Sequence, residues 1–183
     1  MVKFNLVTHL FEELRSRHSY VVFAESLTAG LISWEFSKIP GASQVFWGSF
    51  VVYNPLAKEK LLKVSKSIIK EYGVVSEECA LSMAEGALKM AFDKNEIFPK
   101  YSLAVTGIAG PPSQFDEKSV GTVYIAVAKI LNVYTHSDIT QSVDGNEEFE
   151  FYSIAKLFHF QGDRNAIREQ TMNSGLKMLI DII

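Results

Sequence analysis

Two hydrophobic periods alternate along this chain, and each change from one to the other marks a turn. Phe4, Leu6, Val7, Leu10, Phe11 and Leu14 recur at helical spacing among charges, the pattern of an amphipathic helix and not of a secretory signal. Tyr20 to Ala24 form an apolar strand that breaks at Glu25-Ser26. A helix follows, with Thr28 as its expected cap and Leu31, Ile32, Trp34 and Phe36 as its buried face. Trp47, Phe50, Val51 and Val52 read as a second, buried strand, stopped by Asn54-Pro55. Pro55 is well suited to the first helical position, ahead of Leu56, Ala57, Lys58, Leu61 and Leu62. Ser65 to Tyr72 read as a short helix closed by Gly73, and Ser76 opens a longer one with Glu77 and Glu78 in its first turn. That helix has a broad apolar face, on which Met83 and Met90 are expected as core filler. Strands follow at 101–107 and 121–130. The segment from Asn132 to Phe160 reads as two neighbouring strands joined in a long hairpin at one side of the sheet. Asp163 caps a last helix facing inward with Ile167, Met172, Leu176, Leu179 and Ile180.

Composition narrows the classes. With 183 residues and 48% hydrophobic content, the chain suffices for one core and is too short for two full-sized domains, so one domain over residues 1–183 is expected. A net charge of -3 with no Lys/Arg run argues against nucleic acid as a partner and favours small-molecule chemistry. The one cysteine, Cys79, permits no intrachain disulfide or thiolate cluster, fits a reducing compartment, and falls in a helical run as a small core residue. No stretch approaches the roughly 18 uncharged residues of a membrane span, so a cytoplasmic protein with no membrane partner is expected. His9, His18, His136 and His159 lack metal-ligand spacing, and no metal site is expected.

Candidate chemistry gathers at strand ends. In a sheet flanked by helices, ligands bind where strands end and helices begin. Glu25 and Ser26 stand at such an end, beside a helix start that stabilises negative charge, although Ser26 and Thr28 also read simply as caps. Tyr53 and Lys58 flank the next strand-to-helix corner. Thr106 and Gly107 open a loop of glycines and prolines whose amides can face a ligand, or which is an ordinary turn. Arg164 begins a helix whose dipole disfavours a cation, which suggests either the holding of phosphate or carboxylate, or a solvated arginine.

Taken together, AESLTAG (24–30), GASQVF (41–46), Tyr53-Asn54 with Lys58, GVVSEE (73–78), TGIAGP (106–111), VGTVYIAVA (120–128) and GDRNAIR (162–168) resemble the C-terminal domain of CinA. Free-standing members of that family are nicotinamide-nucleotide amidohydrolases. The resemblance implies a three-layer α/β/α sandwich with a mixed central sheet, hydrolysis of the carboxamide of nicotinamide mononucleotide to nicotinic acid mononucleotide and ammonia, no metal or cofactor, and a homo-oligomer. Carried onto this chain, it implies a dyad of Ser43 as nucleophile and Lys58 as general base, although Ser26 and Ser43 can exchange roles. It implies hydrogen bonds to the reacting amide from Ser26 and Thr106. Tyr53 would serve the base network or the nicotinamide ring, and Arg164 the phosphate. Thr28 and Gly107 complete the expected substrate-binding set.

The chain departs from the family at Leu27 and Ala29, where cysteine and a second glycine are usual, and in a less glycine-rich loop after Pro111. An insertion is expected around Asp144 to Glu148. The alternative reading is an inactive nucleotide-binding or regulatory module. The pyrophosphatase activity associated with larger two-domain CinA proteins fits poorly, since it belongs to a different domain.

Overall fold

A computed structural model describes residues 5–93, 98–112, 118–134 and 148–183. In chain order the elements are α1 (Leu6–Ser16), β1 (Tyr20–Glu25), α2 (Leu31–Ser37), a single 3-10 turn (Ala42–Gln44), β2 (Phe46–Val51), α3 (Pro55–Leu62), α4 (Lys66–Tyr72), α5 (Glu77–Ala91), β3 (Pro99–Gly107), β4 (Thr122–Tyr134), β5 (Glu148–His159) and α6 (Arg164–Ile180). Short polar side chains set most helix starts. Asn5, Asn54, Ser65, Ser76 and Asp163 each accept a hydrogen bond from a backbone N–H of the first turn they precede.

The strands form one mixed sheet in the order β2-β1-β3-β4-β5. β1 runs parallel to β2 and β3, whereas β3 with β4 and β4 with β5 are antiparallel. Because a strand's side chains alternate between faces, β1 sends Val21 and Phe23 to one side and Val22 and Ala24 to the other. On the first side lie α1, α2 and α6, with large residues such as Leu10, Phe36 and Leu176. On the second lie α3, α4 and α5, with a thinner core rich in alanine. Helices on both faces of a mixed sheet are the three-layer α/β/α architecture expected.

Five readings of the sequence need correction, the first being Trp34, which is 58% exposed and not part of the buried face of α2. β2 is an edge strand, and Trp47 and Val51 are 42% and 49% exposed, although Val52 is fully buried. A run of aromatic and β-branched residues fits any pleated surface and does not distinguish edge from centre. Met90 is exposed, because the apolar side of α5 is narrower than its composition suggests, while Met83 is buried as expected. Thr28 does not cap α2, whose N-cap is Gly30. Finally, β4 continues through Tyr134, so Val133 and Tyr134 extend β4 itself and the long hairpin partner of β5 is β4. His136 and the expected insertion from Asp144 lie outside the described residues, except that Glu148 begins β5.

Candidate active site

Parallel strands place their carboxyl ends on the same side of a molecule. Here β1, β2 and β3 share that direction, and two antiparallel steps bring the end of β5, and with it the start of α6, to the same rim. The segment before α5 closes the remaining side. Between them is a cavity of about 350 Å³ lined by Ser26, Tyr53, Lys58, Thr106, Gly107 and Arg164, with a wall that includes Val74, Val75 and the loop to Pro111. Its volume lies within the usual range for small-molecule sites, roughly 300–1,000 Å³.

Lys58 sits at the base. Asn54 and Pro55 start α3 directly after β2, which turns the fourth helical residue back under the sheet. The side chain is 1% exposed, and Nζ donates to the carbonyl of Val52 at 2.8 Å. Burial lowers its pKa from the ordinary 10.5 to about 8, with neighbouring Cys79 acting in the opposite sense. Roughly one molecule in ten therefore carries a neutral amine at pH 7. Cys79 is fully buried and its thiol is shifted upward by the same loss of solvent.

Ser26 follows β1 and is nearly buried, its N–H donating to the Val105 carbonyl at 3.1 Å. The loop behind it is held by Glu25, which is fully buried. One carboxylate oxygen of Glu25 accepts from the N–H groups of Gly30 (2.9 Å) and Ile32 (3.1 Å), and the other from Ser33 N–H (2.9 Å) and Ser33 Oγ (2.5 Å). Glu25 thus supplies the cap that Thr28 was expected to give, from five residues before Gly30. Its sequence signal is an acidic residue at the end of a strand beside a helix start that stabilises negative charge. Ala29 (φ 48°) and Gly30 (φ 91°) both take left-handed backbone in this turn. At Ala29 the Cβ carries a steric cost of about 1–2 kcal/mol.

Thr106 is buried at the end of β3 and donates to the Val74 carbonyl at 2.6 Å, which leaves its oxygen able to accept from a ligand. Gly107 must be glycine, since a Cβ would stand 2.7 Å from the Thr122 carbonyl oxygen on β4. Arg164 reaches across the mouth. It donates to the Gly110 carbonyl through one terminal nitrogen and to Tyr53 Oη through the other at 2.6 Å. Tyr53 therefore keeps its own proton to donate.

Six of the expected residues thus meet at one cavity: Ser26, Tyr53, Lys58, Thr106, Gly107 and Arg164. Two do not. Thr28 is buried behind the loop, where its carbonyl accepts from Arg168 at 2.6 Å and its hydroxyl lacks a partner. Ser43 lies exposed in the 3-10 turn that precedes β2, whereas Lys58 follows β2. The register aligns Phe46 with Val21 and Val51 with Glu25, so those two ends are separated by roughly 17 Å at about 3.3 Å per residue. Within one chain Ser43 and Lys58 occupy opposite ends of the sheet and form no dyad. The serine that shares the cavity with Lys58 is Ser26. Arg168 and the Val74-Val75 wall fall within the motifs GDRNAIR and GVVSEE but were not named as site residues. They act through backbone carbonyls, as when Lys118 Nζ donates to Val75, and such contacts leave no residue-type signature. No group of three or more His, Cys, Asp or Glu among the described residues could hold a metal ion. No helix among them is long and apolar enough to cross a membrane.

Comparison with known proteins gives concordant matches. A family model described as the CinA C-terminal domain matches residues 3–148. A CinA-like protein of Thermosipho melanesiensis is 38% identical over 174 residues, covering 95% of this chain and 37% of that protein. A CinA-like protein of Fervidobacterium nodosum is 52% identical over 116 residues, 63% of this chain and 27% of that one. The chain thus spans well under half the length of these curated relatives. Among solved structures, the competence/damage inducible protein CihA from Agrobacterium tumefaciens superimposes with a TM-score of 0.76 at 30% identity, covering 97% of this chain and 93% of that one. A CinA superfamily protein from Escherichia coli has the same fold, with a TM-score of 0.76 at 24% identity and coverage of 98% and 89%.

Proposed function

The chain belongs to the CinA C-terminal domain family, and from that premise we propose that it hydrolyses the carboxamide of nicotinamide mononucleotide, with Ser26 as nucleophile and Lys58 as general base. The observation that carries this reading is a buried lysine with a lowered pKa lining the same cavity as a strand-end serine.

The chemistry follows from what each group can give. Neutral Lys58 takes the Ser26 proton as Oγ attacks the carboxamide carbon, and a tetrahedral oxyanion forms. Tyr53 Oη–H donates toward the polar reacting group, and Thr106 Oγ1 accepts from the amide nitrogen. The protonated lysine returns its proton to the departing nitrogen, ammonia leaves, and a Ser26 ester remains. Water activated by Lys58 then cleaves the ester to give the carboxylate and restore Ser26. Arg164, with two terminal nitrogens and a planar fork, supplies charge for the nucleotide phosphate at the mouth.

The test is ammonia release from nicotinamide mononucleotide by wild type, Ser26→Ala, Lys58→Ala and Ser43→Ala, with binding measured in parallel by calorimetry. Wild-type turnover is expected, with a loss of at least about 100-fold in Ser26→Ala and Lys58→Ala and retained turnover in Ser43→Ala. Loss in Ser43→Ala with activity kept in Ser26→Ala would overturn the assignment of the nucleophile. Binding by wild type without ammonia release would replace the enzyme with a nucleotide-binding module.

A further inference from the structure

The outer edge of β5 is long and continuous, and it is unpaired among the described residues. We infer that it joins antiparallel to β5 of a second copy, so that two five-stranded sheets become one continuous sheet through a two-fold axis at Ser153. Among the described residues β5 pairs with β4 alone. It runs for 12 residues, about twice the usual strand length. The one irregularity in that pairing falls on β4 around Leu131, between Ile130 and Asn132, and leaves β5 itself unbroken. An open edge of this length is a template for another strand unless something protects it.

The charges on β5 select the partner. Glu148 and Glu150 stand at its amino end, Lys156 and His159 at its carboxyl end, and the residues between are uncharged. A second copy running antiparallel brings acid to base at both ends, whereas a parallel copy brings acid to acid. With Ser153 on the axis, Glu150 faces Lys156 of the second copy, Phe149 faces Leu157, Phe151 faces Ala155 and Tyr152 faces Ile154. Residues directly opposite share a face, so these are contacting pairs. Each pair occurs twice by symmetry.

The single copy is prepared for this arrangement. Tyr152 and Leu157 are 44% and 46% exposed, and the pairing covers both. Lys156 makes no ion pair among the described residues. Glu150 accepts from Asn132 Nδ2 at 2.5 Å and Tyr134 Oη at 3.1 Å, both on β4, so in the single copy its carboxylate is held on the β4 side and turns outward to meet Lys156 of the second copy. A slip of two residues in one direction sets Glu150 against Phe158, and in the other carries Leu157 past the end of the facing strand. The opposite edge of the sheet offers less, because β2 has 6 residues and its register against β1 shifts between Val21 and Val22.

This assignment rests on strand geometry and is independent of the amidohydrolase reading, so its test reads assembly and not turnover. Sedimentation equilibrium of the full chain is compared for wild type, Glu150→Lys, Lys156→Glu and the double reversal, with circular dichroism to confirm folding. The wild type is expected to dimerise, each single reversal to weaken the dimer by about tenfold or more because it sets like charges opposite each other twice, and the double reversal to restore it. In Ser153→Cys, two cysteines on the axis stand about 4.5–5.5 Å apart between Cα atoms, within disulfide reach. Mild oxidation should therefore link the dimer covalently, while buried Cys79 does not. A monomeric wild type, a dimer that the single reversals leave unchanged or the double reversal does not rescue, or one that Ser153→Cys fails to link, overturns the assignment.

Discussion

Lys58 acquires its chemistry from position, and the same position makes it a liability to the fold. At 1% exposure its ammonium is poorly solvated, which is why its pKa falls to about 8. If neutral Lys58 is the base, turnover should rise with pH through about 8 and level off above it. Stability should move in the same direction. Below pH 8 the lysine is protonated in folded and unfolded chains alike. Between 8 and 10.5 the folded form has released its proton and the unfolded form still holds one, so the unfolded state binds more protons and stability climbs with pH, by up to about 3 kcal/mol. Lys58→Met should cost turnover at least about 100-fold, leave stability at pH 7 equal to or above wild type, and abolish the rise. Urea melts at pH 7 and pH 10 check the stability half, and a variant that still gains stability across that range would locate the titration elsewhere. Lys58 was legible in the sequence because it stands among apolar positions at a corner. Ser43 was carried over from the resemblance, and within one chain the length of β2 sets it at the far end of that strand from Lys58.

Among the elements, the β1–α2 corner does the most to shape the site. A 7-residue helix preceded by left-handed backbone has no side-chain cap of its own, and Glu25 provides one from the end of β1. Because every group that meets the Glu25 oxygens is a donor, Glu25→Gln would place an amide N–H₂ against at least one of them. The expected cost is about 2–3 kcal/mol of stability. If the chain is an amidohydrolase with Ser26 as nucleophile, the larger effect is on turnover, since the loop so held carries Ser26, and kcat should fall with nucleotide affinity changed much less. Denaturant melts and steady-state kinetics together decide it; stability within about 0.5 kcal/mol of wild type would show that the carboxylate is not needed as a cap. The start of α6 works in parallel, with Arg164 gripping Gly110 and Tyr53 and Arg168, one turn on, gripping Thr28. Helix identities and the caps Ser76 and Asp163 were readable, because Ser and Asp before apolar periodicity have a local mechanism, whereas Asn5 was not named and Asn54 was given only as a strand stop. The Glu25 cap and the Arg168 anchor were not readable, because they act across a turn or between distant segments.

At the scale of the whole molecule, the two sides of the sheet differ in thickness, and the thin side governs where Lys58 sits. Ala24, Ala104, Ala126 and Ala128 face Ala80, Ala84, Ala87 and Ala91 of α5, so that helix lies close to the strands. α3 in turn lies close to α5, and a Cβ on Gly86 would stand 2.2 Å from the Leu62 carbonyl oxygen. The alternation of alanine in VGTVYIAVA and along α5 is visible in the sequence. The strand order, and the consequence that β2 is an edge, are not, because no residue marks which strands become neighbours. Leu62 and Lys58 share α3 one turn apart, so whatever displaces Leu62 displaces Lys58. Gly86→Ala meets backbone, which cannot rotate away as a flexible side chain can, and the helices must separate. The expected loss is about 1–3 kcal/mol in a denaturant melt. The catalytic consequence should appear in kcat, with KM changed much less, because Arg164 and Thr106 reach the cavity from α6 and β3 on the far side of that contact. A variant with unchanged melt and unchanged kcat would mean that α3 can shift without carrying Lys58 with it. A variant that loses stability but keeps kcat would mean that the cavity re-forms around a displaced helix.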